Sequence, residues 1–383
     1  LNSPWLHKSG DNYLDTRRFI VCPGHSTGHP FPLSNNERLL NMKRSFIALA
    51  AALACAGAAH AQSSVQLTGL VDAYAGSMRM AGDASGKGVV GSGGMTTSWW
   101  GMKGQEDLGG GLKVDFQLTA FMRVDTGSPG RFDGDPYFSR DANVGLSGGF
   151  GTVRLGRGMA PNFLPTILTN PFGDSFTISP LVLHANVGTT AWGSANLTTP
   201  SDTGWSNQVV YTTPKFGGLQ ANVHYQFGEK GGDSGKKNIG VNAMYFGGPL
   251  SLVAFYERAQ ISNPVSLAVM PTKTDWMLGG TYNFEVAKLY ATYGQAKVKD
   301  LDRKNSTYSL GLDVPVTSAG TIKAALARTK AEIGAVDSTR TTASLGYDHY
   351  LSKRTDVYTV LMHDRITDLK SGTSLIAGIR HRF

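Results

Sequence analysis

The residue types that usually carry covalent chemistry are scattered along this chain. His184, His224, His349, His363 and His381 show no metal-ligand spacing, and no His-x-Glu or Cys-x-x-Cys pattern accompanies them. The glycine-rich stretches are not followed by helices, so they read as loops rather than phosphate cradles. A membrane lipase would need a Ser/His pair near a rim, and no convincing pair lies among the outward-pointing residues. No metal or cofactor is expected. What the spacing does offer is fixed charge. Lys103, Arg123 and Arg154 each fall on the polar side of an alternating segment, while Asp174 is the only acid between Gly158 and Pro180. Acids facing bases across a water-filled gap orient dipolar solutes and bias the passage of ions.

The stretch that carries Asp174 reads GMAPNFLPTILTNPFGDSFTISP. Four prolines in 23 residues exclude a central strand. Met159, Phe163, Leu164, Ile167, Leu168, Phe172, Phe176 and Ile178 are too many apolar residues for a solvated loop. An apolar loop must be buried against something. In a closed barrel the shielded place for it is the inside, so the stretch is expected to fold into a lumen and narrow it.

The surrounding chain supplies such a barrel. Val65, Leu67, Val71 and Ala73 point one way, and Gln66, Thr68, Asp72 and Tyr74 the other. The cleanest alternation sets Leu112, Val114, Phe116, Leu118, Ala120 and Met122 against Lys113, Asp115, Gln117, Thr119 and Arg123. A tilted strand of about 11 residues crosses a bilayer. Glycine-rich residues 76–94 read as a loop. Further strands are expected over 97–104, 143–147, from 153, and over 206–213, 219–227, 238–246, 250–261, 274–284, 286–298, 305–314, 321–333, 340–350, 354–366 and 373–383. The total is about 16, with tight turns alternating with long loops. A soluble sandwich of that size would split into several domains, and no linker divides the chain. A barrel leaves no open edge and can turn its apolar side to lipid. The reading is an all-β, 16-stranded antiparallel transmembrane β-barrel with an inward-folded third extracellular loop.

Residues 42–61, MKRSFIALAAALACAGAAHA, have a basic start, an apolar middle and an Ala59-His60-Ala61 cleavage site, as a secretory signal peptide does. Cys55 fits a lipoprotein attachment site poorly. Residues 1–41 read as an upstream extension without structural role, which leaves 62–383 for the barrel. Without positions 1–61 the chain's 36 basic and 28 acidic residues become 30 and 25, a net +5. So mild a charge does not suggest nucleic acid. Both cysteines lie in the excluded part, so no disulfide framework is expected.

Several motifs together resemble the trimeric general porins of beta- and gammaproteobacteria, above all the beta-proteobacterial branch. They are Leu67-Thr68-Gly69-Leu70-Val71-Asp72, the run Gly101-Met102-Lys103-Gly104-Gln105-Glu106-Asp107-Leu108-Gly109-Gly110-Gly111, the run Val144-Gly145-Leu146-Ser147-Gly148-Gly149-Phe150-Gly151, Leu155-Gly156-Arg157, Tyr211-Thr212-Thr213-Pro214, and Phe383. The resemblance implies a homotrimer in outer-membrane lipid and lipopolysaccharide, and passive diffusion of ions and small hydrophilic solutes. It implies a constriction loop after Leu155-Gly156-Arg157, and a Phe383 read by the barrel-assembly machinery. Arg140 resembles the family's wall arginine, although strict alternation from Val144 would turn it outward; a bulge or early strand end would resolve the conflict. Two departures stand out. Trp99 lies where anion-selective relatives carry an arginine, and Gly204 and Trp205 occupy the region of another. The expectation is weak selectivity. The alternative is a solute-specific channel, in which Trp99 offers a stacking surface to sugars or aromatic solutes.

Overall fold

Strands whose two faces differ in polarity must pair their backbones somewhere, and in this chain they pair with one another in closed order. The computed structural model describes residues 64–185, 203–229, 237–260, 272–299 and 302–383. The extension and signal peptide read over 1–41 and 42–61 lie outside the described residues. In chain order the strands are β1 (Ser64–Met78), β2 (Lys87–Ser92), β3 (Trp99–Gly109), β4 (Leu112–Arg123), β5 (Ser128–Pro129), β6 (Asp141–Gly148), β7 (Gly151–Met159), β8 (Gly204–Thr212) and β9 (Leu219–Gln226). They continue as β10 (Asn238–Gly247), β11 (Leu250–Gln260), β12 (Thr272–Asn283), β13 (Lys288–Val298), β14 (Arg303–Pro315), β15 (Gly320–Ile333), β16 (Val336–Tyr350), β17 (Thr355–Ile366) and β18 (Gly372–Arg382). Two short helices, α1 (Phe163–Leu168) and α2 (Pro180–Ala185), lie between β7 and β8.

β2 and β3 share one place in the wall, because β2 pairs with β1 over Ala73–Met78 and β3 pairs with β1 over Ser64–Leu70. β5 is a two-residue hook on the end of β4. The wall is therefore a closed antiparallel barrel of 16 strands. It closes where β1 meets β18, with Leu70 opposite Arg382 and Ser77 opposite Leu375. Beyond that register Gly69 and Phe383 exchange two backbone bonds of 3.1 Å. A side chain at position 69 would run into the Phe383 ring, so glycine is required there. Closure satisfies the backbone groups that an open edge would strand in lipid.

The strand reading and the barrel agree along most of the chain; β4 spans the alternating run Leu112–Arg123 without change. The residues read as a loop over 76–94 differ. β1 continues to Met78, and β2 lies wholly inside that stretch. Gly86, Gly88 and Gly91 spoil the alternation there, while backbone pairing with β1 makes the strand regardless of side chain.

One wall face carries exposed apolar side chains, among them Leu252, Leu278, Leu310, Leu345, Leu361 and Leu375. Such a band suits contact with lipid. The opposite face is mixed. On β17 it carries Asp356, Tyr358, Val360, Met362 and Asp364, all buried. Val360 and Met362 join Phe172, Ile178 and Leu183 of the stretch between β7 and β8 in one apolar cluster, with Ala325 and Ile376. A second cluster sets Leu164, Leu168 and Leu181 against Met244, Val253, Phe255 and Met277. The apolar residues of that stretch are thus matched by apolar patches on an otherwise polar wall face.

Candidate functional site

The segment between β7 and β8 is pinned by polar bonds as well as by apolar contact. Asn162 Nδ2 donates to Glu257 Oε1 at 2.9 Å, Lys323 Nζ to the Pro171 carbonyl at 3.2 Å, and Ser344 Oγ to the Ile178 carbonyl at 2.7 Å. Wall glycines make room for it. A Cβ on Gly240 would lie 2.5 Å from Pro161, and one on Gly311 would lie 2.5 Å from Pro171. Neither fits without displacing the segment.

α2 is tied to the wall by a buried ion pair and a histidine. Arg340 is fully buried and grips Asp364 with Nε at 2.9 Å and Nη2 at 3.2 Å, while its Nη1 donates to the Leu183 carbonyl at 3.1 Å. His184 sits between Thr329 Oγ1 and Thr342 Oγ1, each 2.8 Å from a ring nitrogen. Thr342 gives its proton to Asp364, so His184 Nε2 must donate to Thr342. In a neutral imidazole Nδ1 then accepts from Thr329, whose hydroxyl also lies 2.6 Å from a second acceptor, Thr307 Oγ1. Burial, reinforced by the Arg340 charge, holds His184 well below the usual histidine range.

Asp174 stands at the turn between the helices and is half-buried. Its carboxyl faces Thr96, Arg140 and Arg380. The protein enclosing it pushes the acid up to about 6, against the opposing pull of a backbone N–H, the Thr96 hydroxyl and the two guanidinium groups. Arg140 reaches this place because β6 begins only at Asp141, so the alternation that would turn it outward does not extend to it. Its Nη1 donates to Asp141 Oδ2 at 2.8 Å, and its guanidinium lies 4.1 Å from the centre of the Trp99 ring. Trp99 and Arg140 are thus in contact, and the Arg140 charge acts on Asp174.

The other bases read from the sequence lie elsewhere. Arg154 is bound to Asp115 at 2.7 Å and to Asn143 Oδ1 at 2.8 Å. Arg123 ends β4 and donates to Asp133 at 2.7 Å, on the wall of a cavity of about 550 Å³ that also meets Lys87, Asp125 and Arg131. Lys103 is exposed, in register with Gln66 and Gln117 on the neighbouring strands. Phe383 closes the wall at Gly69. Trp205, beside Gly204, is almost wholly buried and packs with Ala160 and Ala259, so it is wall structure.

Sequence reasoning passed over Arg380. Its Nε and Nη2 hold the buried Asp356 at 3.0 Å, and Nη1 donates to Thr96 Oγ1 at 2.7 Å. The signal was present, since Arg380 shares the polar face of β18 with Ser374; what sequence could not show is that Asp174 would face it. Arg131 was also missed. It forks onto Asp135 at 2.9 and 3.0 Å and lies 5.0 Å from the Phe121 ring. Burial would raise Asp135, but Arg131 overrides it and holds the carboxyl below its usual range.

A closed antiparallel wall with an apolar band on one face and paired charges on the other defines a transmembrane barrel of the outer-membrane kind. The Gram-negative porin family matches residues 48–369, and the chain belongs to that family. Outer membrane porin protein 32 of Delftia acidovorans is 37% identical over 324 residues, 83% of this chain and 88% of its own length. An outer membrane porin protein of Bordetella pertussis is 28% identical over 403 residues, covering 89% of this chain and 100% of its own. The solved anion-selective porin from Comamonas acidovorans superposes with a TM-score of 0.72 at 30% identity, over 84% of this chain and all of that one. Family and fold place the chain in the outer membrane as a multi-pass general porin, and they point to a channel.

Proposed function

We propose that the mixed wall face is the lumen of a general diffusion pore, that the segment from Gly158 to Ala185 lies across it as the constriction, and that ions and small hydrophilic solutes pass with weak selectivity. The observation that carries this reading is the pairing of charge. Asp174 faces Arg140 and Arg380, while Arg154, Arg123 and Arg380 each hold an acid of the wall or rim. A lumen whose bases are mostly compensated exerts a weak net field. Trp99 and Gly204 stand where anion-selective relatives carry arginine, which supports the same conclusion.

The working unit is a homotrimer in outer-membrane lipid and lipopolysaccharide. Residues 42–61 direct export, and Phe383, with its exposed ring over Gly69, is the signal read by the barrel-assembly machinery. Purified protein in planar bilayers is expected to open in triplet steps, with a small reversal potential in a salt gradient. A folded trimer that conducts nothing would remove the reading.

A second reading has its own observation. The Trp99 ring with the Arg140 guanidinium on one side is a flat surface beside a cation, suited to stacking sugars or aromatic acids. Saturable block of the current by one solute class, lost in Trp99→Ala, supports a solute-specific channel. Indifference to all such solutes eliminates it.

A further inference from the structure

We propose that Asp72 is a positioning residue for the pore, holding a break in the second wall strand as a further constriction element against the tip of the 158–185 segment. The inference rests on the pore reading above and adds to it a part made from the wall itself.

Between β2 and β3 the chain leaves the barrel ladder for six residues, Gly93–Ser98. Asp72 stands at that gap, since the pairing of β1 stops at Leu70 with Trp99 and resumes at Ala73 with Ser92. Its backbone stitches both ends of the excursion. The Gly93 N–H donates to the Asp72 carbonyl at 2.8 Å, and the Asp72 N–H donates to Ser98 Oγ at 2.9 Å. Its carboxylate fills the middle. It accepts the N–H groups of Gly94 at 3.1 Å, Met95 at 2.9 Å and Thr96 at 2.8 Å, together with the Tyr358 hydroxyl. Asp72 is 0% exposed. Three successive N–H groups aimed at one buried carboxylate fix a turn by charge-assisted bonds.

A turn so held presents its carbonyls the other way, towards the segment. Ser175 Oγ donates to the Gly94 carbonyl at 2.6 Å, and Thr177 Oγ1 donates to the Gly93 carbonyl at 2.9 Å. Thr96 receives Arg380 and faces the Asp174 carboxyl. One buried acid therefore sets the surface on which the charged tip rests. A purely structural role would need no break, because an unbroken ladder beside β1 would seal the wall with fewer buried polar groups.

The test uses two variants of the full chain, purified as trimers and reconstituted. Asp72→Asn keeps the size but turns an NH₂ towards the backbone donors. Ser175→Ala with Thr177→Ala leaves Asp72 and its own bonds intact; it cuts the two bonds to the Gly93 and Gly94 carbonyls, together with the two that Ser175 Oγ accepts within the segment from the Thr177 and Ile178 N–H groups. Both are expected to raise single-channel conductance, to shift the reversal potential, and to admit larger sugars in liposome swelling. Heat resistance of the double-variant trimer should stay at the wild-type value. Wild-type conductance and reversal potential in the double variant would overturn the proposal, and that variant decides alone if Asp72→Asn does not assemble. A wild-type trimer that fails to conduct would instead overturn the pore reading.

Discussion

At the scale of single residues, the pore reading makes the balance between Asp174 and Arg140 the control on how the proposed constriction responds to its surroundings. With its carboxyl near 6, Asp174 is ionised at neutral pH and protonated at about pH 5, where an ordinary aspartate is still charged. A guanidinium does not titrate in this range. Acidification therefore removes the negative pole and leaves the positive one. The ratio of anion to cation permeability is expected to rise as pH falls through 6, read as a shift in reversal potential. Asp174→Asn should show the acid value at every pH. Trp99 offers a second lever. Trp99→Arg would set a second guanidinium beside Arg140, and the reversal potential should move towards anion preference at fixed pH. No change in that variant would mean that position 99 does not face the ion path.

At the scale of elements, the segment between β7 and β8 stays in place because three kinds of contact agree: apolar clusters, backbone carbonyls held by wall side chains, and the buried Arg340–Asp364 pair behind α2. The pair is the most sensitive of these. Arg340→Met strands a fully buried carboxylate, and loss of one partner of a buried pair costs about 3–5 kcal/mol. The variant is expected to unfold at lower denaturant in detergent, and Asp364→Asn added to it should recover part of the loss. Gly311→Val tests the approach of the wall to Pro171: the barrel should persist while the segment is displaced, seen as altered conductance with normal heat resistance. Much of this architecture was legible in the sequence. The alternation of Leu112–Arg123 located β4, and the prolines and apolar residues of 158–180 marked a stretch that could be neither wall nor solvated loop. The matching patches were harder to see. Val360 and Met362 are apolar on the polar side of β17, which side-chain periodicity alone treats as noise. The excursion at Gly93–Ser98 was hidden for another reason. It is specified by hydrogen bonds to Asp72, 22 to 24 residues away along the chain, and a pattern of polarity carries no record of a bond.

At the scale of the whole molecule, the wall is one closed sheet, so each of its 16 strand positions has two neighbours and the first and last meet. Phe383→Ala would take the ring off Gly69 and is expected to lower the yield of assembled protein in the outer membrane. Refolding in detergent should fall less, since the backbone bonds between the two residues survive the change. The closing pair has a consequence for time as well as for stability. Gly69 and Phe383 stand almost a full wall apart in sequence, so β1 cannot find its last partner until β18 has been made and delivered. The barrel therefore cannot be completed strand by strand behind a moving chain end. Contacts of such separation make folding slow, and until they form two unpaired edges remain open to any passing strand. The junction at Gly69 works as a clock: the wall stays open until the strand that ends at Phe383 arrives.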